Sequence, residues 1–282
     1  MNRPRSIILV GDTRKERSAA AIAAHEKWLQ KRFKVVLRDL DGSADLSRAK
    51  ADLIVLFGGD GSILSVARRL AGNAIPVLGV NTGRLGFLAE VPLESVRASI
   101  ERLTKNPIRT SDRMMFEVEI AGNAGKRRLL ALNDAVIARG SVSRMVHLRL
   151  VVGEEPFTLV SGDGLIVATP SGSTAHSMAA GGPIVDPELE AMIITPICPH
   201  SLSMRPIVLP ARRAIRIEMA RRNGDVMLTV DGQEVVPVED GDEVTIRRMR
   251  KPFRLVHPGP GAWFAALRDK MGFAGALTPK LK

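Results

Sequence analysis

The sequence contains no tyrosine, and its other aromatic residues are eight phenylalanines and two tryptophans, 4% of 282 residues. A protein that holds single-stranded nucleic acid by stacking bases on rings needs more of them than this. The single cysteine, Cys198, excludes an intrachain disulfide and any cysteine-based metal cluster, and it makes an intracellular setting the expectation. Long apolar runs are missing as well. The longest, such as Ile7 to Val10 and Leu53 to Phe57, fall far short of the roughly 20 residues that a membrane span requires. The basic start, Met1 to Arg5, meets only four apolar residues before Gly11 and Asp12, so no signal-peptide core forms. The expectation is a cytoplasmic protein with no membrane contact.

What is present is globular in composition, with 45% apolar and 25% charged residues. The length suits one large domain or two modest ones. Lys and Arg number 41 against 30 Asp and Glu, a net charge of +11 that favours an anionic partner. Nucleic acid is one such partner, but the basic residues are spread along the chain rather than clustered, so none is expected to bind.

The first hundred residues alternate short apolar runs with helical stretches. Ser6 to Val10 and Lys34 to Leu37 read as strands around a helix from about Arg14 to Arg32. The apolar run Leu53 to Phe57 stops at Gly58-Gly59-Asp60-Gly61-Ser62 and is followed by a helical pattern, a strand, glycine turn and helix in succession. Ile75 to Val80 reads as another buried strand, and Pro92 opens a helix with Val96, Ile100 and Leu103 at helical spacing. Continuous apolar strands between helices predict a parallel sheet covered on both faces.

From about Pro107 the texture changes to alternating strands with turn signals at Gly122-Asn123 and Asn223-Gly224, so this half reads as β-rich. Trp263 to Met271 reads as a short helix. The expected division is an N-terminal α/β domain over 1–105, a β-rich domain over 106–255 and a helical tail over 256–282 packing back on the first domain.

Several segments carry chemistry. Three glycines within Gly58 to Gly61 allow close backbone approach to a ligand, and the helix start that follows offers N–H groups to a phosphate. Asp60 in that turn would repel an anion unless it serves as a base or sits beside a cation; its plainer reading is a helix cap. Arg84, in the glycine-rich stretch 79–87, has the planar fork that suits phosphate. Asn133-Asp134 is a polar pair within what reads as an apolar strand, so it needs internal partners or a ligand with hydroxyls. The stretch 161–183 is dense in Gly, Ser and Thr, the texture of a backbone-lined pocket. Ser173 and His176 within it suggest a nucleophile and base, but no G-x-S-x-G elbow surrounds the serine. No histidine spacing supports a metal site, and Asp231-Gly232-Gln233 reads as a hairpin turn.

Taken together, GGDGS at 58–62, GVNTGRLGFLAE at 79–90, LNDAVIARG at 132–140, SGDGLIVATPSGSTAHSMAAGGPIVDP at 161–187, TPICPHSLSMRPIVLP at 195–210 and DGQ at 231–233 resemble the NAD kinase family. GGDG alone is shared with lipid kinases and phosphofructokinases; a lipid kinase gives no reason for the 161–187 block.

The resemblance implies an α/β N-terminal domain joined to a β-rich C-terminal domain, with the site in the cleft. It implies transfer of a phosphoryl group from ATP or polyphosphate to the 2′-hydroxyl of the adenosine ribose of NAD, giving NADP, with a divalent metal, Mg2+, and assembly as a homodimer or homotetramer. Asp60 would be the catalytic base and contact the substrate, and Gly58, Gly59, Gly61 and Arg84 would face phosphate. The residues implied to contact NAD are Gly61, Asn133, Asp134, Arg144, Asp163, Thr174, Ala175, His176, Ser177, Met178, Ala179 and Gln233. No residue is nominated as a metal ligand. Two positions depart from the family: Asp134 stands where Glu is frequent, and His176 stands where a tyrosine is expected beside the adenine.

Overall fold

The computed structural model describes residues 3–83, 86–123, 125–140, 145–221, 225–257, 259 and 262–271. The chain divides into two compact units, Met1–Asp112 with Arg254–Lys282, and Arg113–Phe253.

The first unit opens with β1 (Ser6–Gly11), α1 (Glu16–Gln30), β2 (Lys34–Asp39), β3 (Leu53–Gly58), α2 (Asp60–Leu70), β4 (Val77–Asn81), the short β5 (Val91–Pro92) and α3 (Val96–Lys105). All six residues of β3 and all five of β4 are buried, as parallel strands covered on both faces should be. β1 pairs in parallel with β2 and β3, and β3 and β5 pair in parallel with β4. Ile63, Val66, Ala67 and Leu70 give α2 its buried face, and Val96, Ile100 and Leu103 do the same for α3. A single turn of 3-10 helix, Leu93–Ser95, intervenes between Pro92 and α3.

The chain continues through β6 (Thr110–Arg113) into the second unit, which is built from β7 (Phe116–Gly122), β8 (Gly125–Ala131), β9 (Asp134–Arg139), β10 (Val146–Val152), β11 (Glu155–Gly162), β12 (Gly164–Ala168), the single-turn α4 (His176–Ala179), β13 (Ala191–Ile197), β14 (Ile207–Pro210), β15 (Ile215–Arg221), β16 (Val226–Val230), β17 (Glu234–Val238) and β18 (Glu243–Arg248). These strands form two antiparallel sheets, in the orders β11-β10-β15-β18-β7-β8 and β14-β13-β12-β9-β16-β17. One core cluster joins Phe116, Val118 and Ile120 of the first sheet to Leu165, Val167, Met192 and Leu228 of the second. The opposite face of the second sheet holds Val136, Ile166, Ala168 and Ile193, closed by Val185. Both faces of β12 are therefore dry, and all five of its residues are buried.

β19 (Phe253–Val256) then returns to the first unit, followed by α5 (Ala262–Met271). The first sheet runs β2-β1-β3-β4-β19-β6. Sequence texture assigns β6 and β19 to the β-rich half, yet both belong to this sheet; each has only four residues, too few for the apolar pattern to identify a sheet. The Asn223-Gly224 turn signal lies outside the described residues.

The stretch Leu129 to Ala138 is not the single strand its apolar runs suggest. The chain leaves the first antiparallel sheet at Ala131 and enters the second at Asp134, so Leu132 and Asn133 form the crossing between sheets. Among the described residues no helix is long and apolar enough to cross a membrane.

Candidate functional site

In the first unit the candidate residues sit where β3 runs into α2. Gly58 ends the strand, Gly59 is the extended residue preceding the helix, and Asp60 is the first helical residue. The N-cap position is Gly59, one residue before Asp60, and no side-chain cap hydrogen bond is made there. The capping role read from the sequence for Asp60 is therefore incorrect. Its carboxylate turns away to the 87–89 segment instead. Oδ2 accepts the Phe87 N–H at 2.8 Å, and Oδ1 accepts those of Leu88 at 3.1 Å and Ala89 at 2.9 Å.

Three successive N–H groups form a concave donor surface of the kind that binds anions. Gly86 is required beside it, because a Cβ at that position would lie 1.7 Å from Asp60 Oδ1. Asn81 shapes the start of the same loop, its Oδ1 accepting the Gly83 N–H at 2.6 Å. Oδ2 carries one of the three N–H bonds, so a lone pair remains on the half-buried side chain. Arg84 lies outside the described residues.

In the second unit the candidates gather around the crossing between β8 and β9. Asp134 is buried at 4% exposure, and Asp231 at 7%. The Asp231 carboxylate accepts the N–H groups of Leu132 at 3.0 Å, Asn133 at 2.8 Å and Asp134 at 3.2 Å. Burial, and then the neighbouring Asp231 carboxylate, push the Asp134 carboxyl up to about 7. The hairpin expected at Asp231 is present between β16 and β17, and Asp231 and Gly232 both adopt positive φ there, 52° and 64°. The sequence reading of Asp231 missed its long-range role. A polar residue in a tight turn gives no sign that its carboxylate holds a segment almost 100 positions away.

The other wall of this region is the 169–179 stretch. Thr169 Oγ1 donates to Leu132 O at 2.6 Å, and the Thr169 N–H donates to Asn133 O at 2.8 Å. Gly172 packs so closely on Asn133 that a Cβ would sit 2.1 Å from the Asn133 carbonyl oxygen. Against this contact, Asn133 Oδ1 and Ser171 Oγ are both buried and have no hydrogen-bond partner among the described residues. Two orphaned polar atoms on adjoining segments are what a polar ligand edge would satisfy. Nothing in the sequence distinguishes Ser171, one serine among many, as a site residue.

The remaining candidates divide by environment. Ser173 is fully buried; its Oγ donates to the Pro170 carbonyl at 2.6 Å, lies 3.2 Å from the Val185 carbonyl and accepts the Val185 N–H at 3.0 Å, while His176 is exposed. Ser173 is thus part of the scaffold, and no serine nucleophile is formed. Ser177 is fully buried too, with its hydroxyl 2.8 Å from that of Thr195. His176 and Ala179 of α4 are exposed, and Thr174, Ala175 and Met178 are half-buried. Asp163 pairs with Arg139 at 2.7 Å, and Gln233 lies exposed on the hairpin turn. Arg144 is outside the described residues. Among the described residues no three His, Cys, Asp or Glu side chains converge as a cation site.

Comparison with known proteins bears on both units. The ATP-NAD kinase N-terminal domain family matches residues 7–108, and the ATP-NAD kinase C-terminal domain family matches 132–258. The NAD kinase of Syntrophotalea carbinolica is 40% identical over 251 residues, 88% of each chain. That of Wolinella succinogenes is 42% identical over 229 residues, covering 81% of this chain and 78% of the relative. Among solved structures, yeast NADH kinase complexed with NADH is similar in fold, with a TM-score of 0.87 at 24% identity over 99% of this chain and 90% of that one. An NAD kinase from Archaeoglobus fulgidus in complex with ATP gives 0.73 at 25% identity over 97% of this chain and all of that one.

Proposed function

The chain belongs to the NAD kinase family and is an NAD kinase enzyme, and from that premise we propose which atoms do the work. The phosphoryl donor is ATP or inorganic polyphosphate, and the acceptor is the 2′-hydroxyl of the adenosine ribose of NAD. Asp60 takes the hydroxyl proton as the ribose oxygen bonds to the terminal phosphorus and the donor's bridging P–O bond breaks, leaving NADP and, from ATP, ADP. Such a reaction asks mainly for alignment and charge neutralisation, with a base contributing about 10²- to 10⁴-fold. The three N–H bonds from 87–89 fix the direction of the Asp60 carboxylate.

Gly58, Gly59 and Gly61, with Arg84, face phosphate in this reading. Asn133, Asp134, Arg144, Asp163, Gln233 and the segment Thr174 to Ala179 hold NAD, with Ser177 acting through its bond to Thr195. The observation that carries the binding half is the pair of orphaned atoms, Asn133 Oδ1 and Ser171 Oγ. They supply an acceptor and a hydroxyl for a nucleoside. The described residues offer a divalent cation no cluster of their own. When bound, a divalent cation, Mg2+, would supply charge neutralisation for the donor's phosphates, in keeping with its preference for substrate phosphates. Assembly as a homodimer or homotetramer is carried over from the family resemblance and is read by light scattering.

The test is direct. Purified protein is incubated with NAD, Mg2+ and either ATP or polyphosphate, and NADP is assayed with an NADP-specific dehydrogenase. Product with one or both donors is expected and identifies the donor range. No NADP with either donor would overturn the proposal.

A further inference from the structure

Leu132, Asn133 and Asp134 pose an accounting problem. They stand at the crossing from one sheet to the other, where a buried backbone has lost one ladder before fully joining the next. Asp231 supplies the acceptor for all three N–H groups. On the carbonyl side, Thr169 bonds the oxygens of Leu132 and Asn133, and the Asp231 N–H donates to Asp134 O at 2.9 Å. Every peptide of the segment is thus held by Asp231 or Thr169.

Resting on the NAD-binding reading above, we infer that Asp231 is a positioning residue for the dinucleotide: its carboxylate sets the backbone that presents Asn133 and Asp134 to the ribose. An alanine or serine at 231 lacks the two acceptor oxygens this arrangement uses. An asparagine has the same shape but turns an NH2 group toward one of the three donors. Asp231 also holds φ at 52°, a region that Asp and Asn enter more readily than most residues.

Asp231 has a second effect, which separates positioning from mere scaffolding. β12, β16 and the 171–174 turn bring no ionisable side chain to Asp134. β9 carries only Arg139 at its far end, paired with Asp163, while β17 begins with Glu234 and α4 with His176. Apart from burial, the Asp231 charge is what raises the Asp134 titration. Removing it should therefore move the pH response of NAD binding as well as its strength.

The experiment measures kcat and the KM for NAD across pH 5 to about 9 for the wild-type protein, Asp231→Asn and Asn133→Ala. In the wild type the NAD KM should change with a midpoint near the Asp134 value of about 7. In Asp231→Asn it should rise about tenfold, more than kcat falls, with the midpoint lowered. An NAD KM unchanged in Asp231→Asn but raised in Asn133→Ala overturns the positioning role alone. An NAD KM unchanged in Asn133→Ala overturns the binding reading on which it rests. Should Asp231→Asn not fold, Asp231→Glu carries the test, because it keeps the charge but displaces the acceptor oxygens. A raised KM with the midpoint still near 7 is then expected, and a wild-type KM overturns the inference.

Discussion

Asp60 and Asp231 use one device in two units. Each carboxylate gathers three consecutive backbone N–H groups, one on Oδ2 and two on Oδ1, from 87–89 and from 132–134 respectively. Their surroundings differ. Asp60 is half-buried at the start of an eleven-residue helix, with glycines on either side of it in the chain. Asp231 is buried beneath a hairpin turn and faces a second carboxyl. A tethered carboxylate is thus not a function in itself: with the same three N–H bonds on each, the partly open one can meet a substrate proton, whereas the buried one serves the backbone around it.

The sharpest way to break this contrast is Asp60→Asn. The amide keeps the shape but cannot accept the hydroxyl proton, so kcat should fall by about 10²-fold or more. The Kd for NAD from calorimetry should change little. Near-normal turnover would make Asp60 a structural anchor like Asp231 and erase the difference.

Asp134→Asn probes the other side through stability. The folded protein raises this carboxyl from 3.8 to about 7, so the folded state binds the proton more tightly than the unfolded chain does. Its contribution is fully present below about pH 4 and is lost as pH rises through about 7. A shift of that size corresponds to on the order of 4 kcal/mol, an upper bound. The variant should therefore melt above the wild type at pH 8, with the gap closing towards pH 4. Equal melting temperatures at pH 8 would show that neither burial nor the Asp231 charge penalises the Asp134 carboxylate.

The smallest effect belongs to His176, exposed at the start of α4. His176→Ala should raise the NAD KM about threefold, the size of one modest ring contact of about 0.5–1 kcal/mol, and His176→Tyr should restore it. An unchanged KM in both variants would remove His176 from the adenine site.

Much of this was legible from the residues. The all-apolar run Leu53 to Phe57 before Gly58-Gly59 identifies a buried parallel strand entering a glycine turn, because period and punctuation are local. Alternation over Phe116, Val118 and Ile120 likewise marks a half-buried antiparallel strand. The crossing at Leu132 and Asn133 was not legible, since apolar residues flank it on both sides and a change of sheet alters no local pattern. Ser171 and Ser173 are indistinguishable by type. Only packing leaves one hydroxyl orphaned and ties the other to Pro170 and Val185.

The sequence by itself determined the order of elements, the glycine positions and the family, all of which depend on residue type and spacing along the chain. Only the tertiary structure decided that Asp60 reaches the 87–89 backbone rather than capping its own helix, and that a hairpin aspartate holds the Asn133-Asp134 pair. The physical reason is that a carboxylate takes whichever N–H groups the fold leaves unpaired near it. Which ones those are is settled by strand pairing across some 30 to 100 positions of chain.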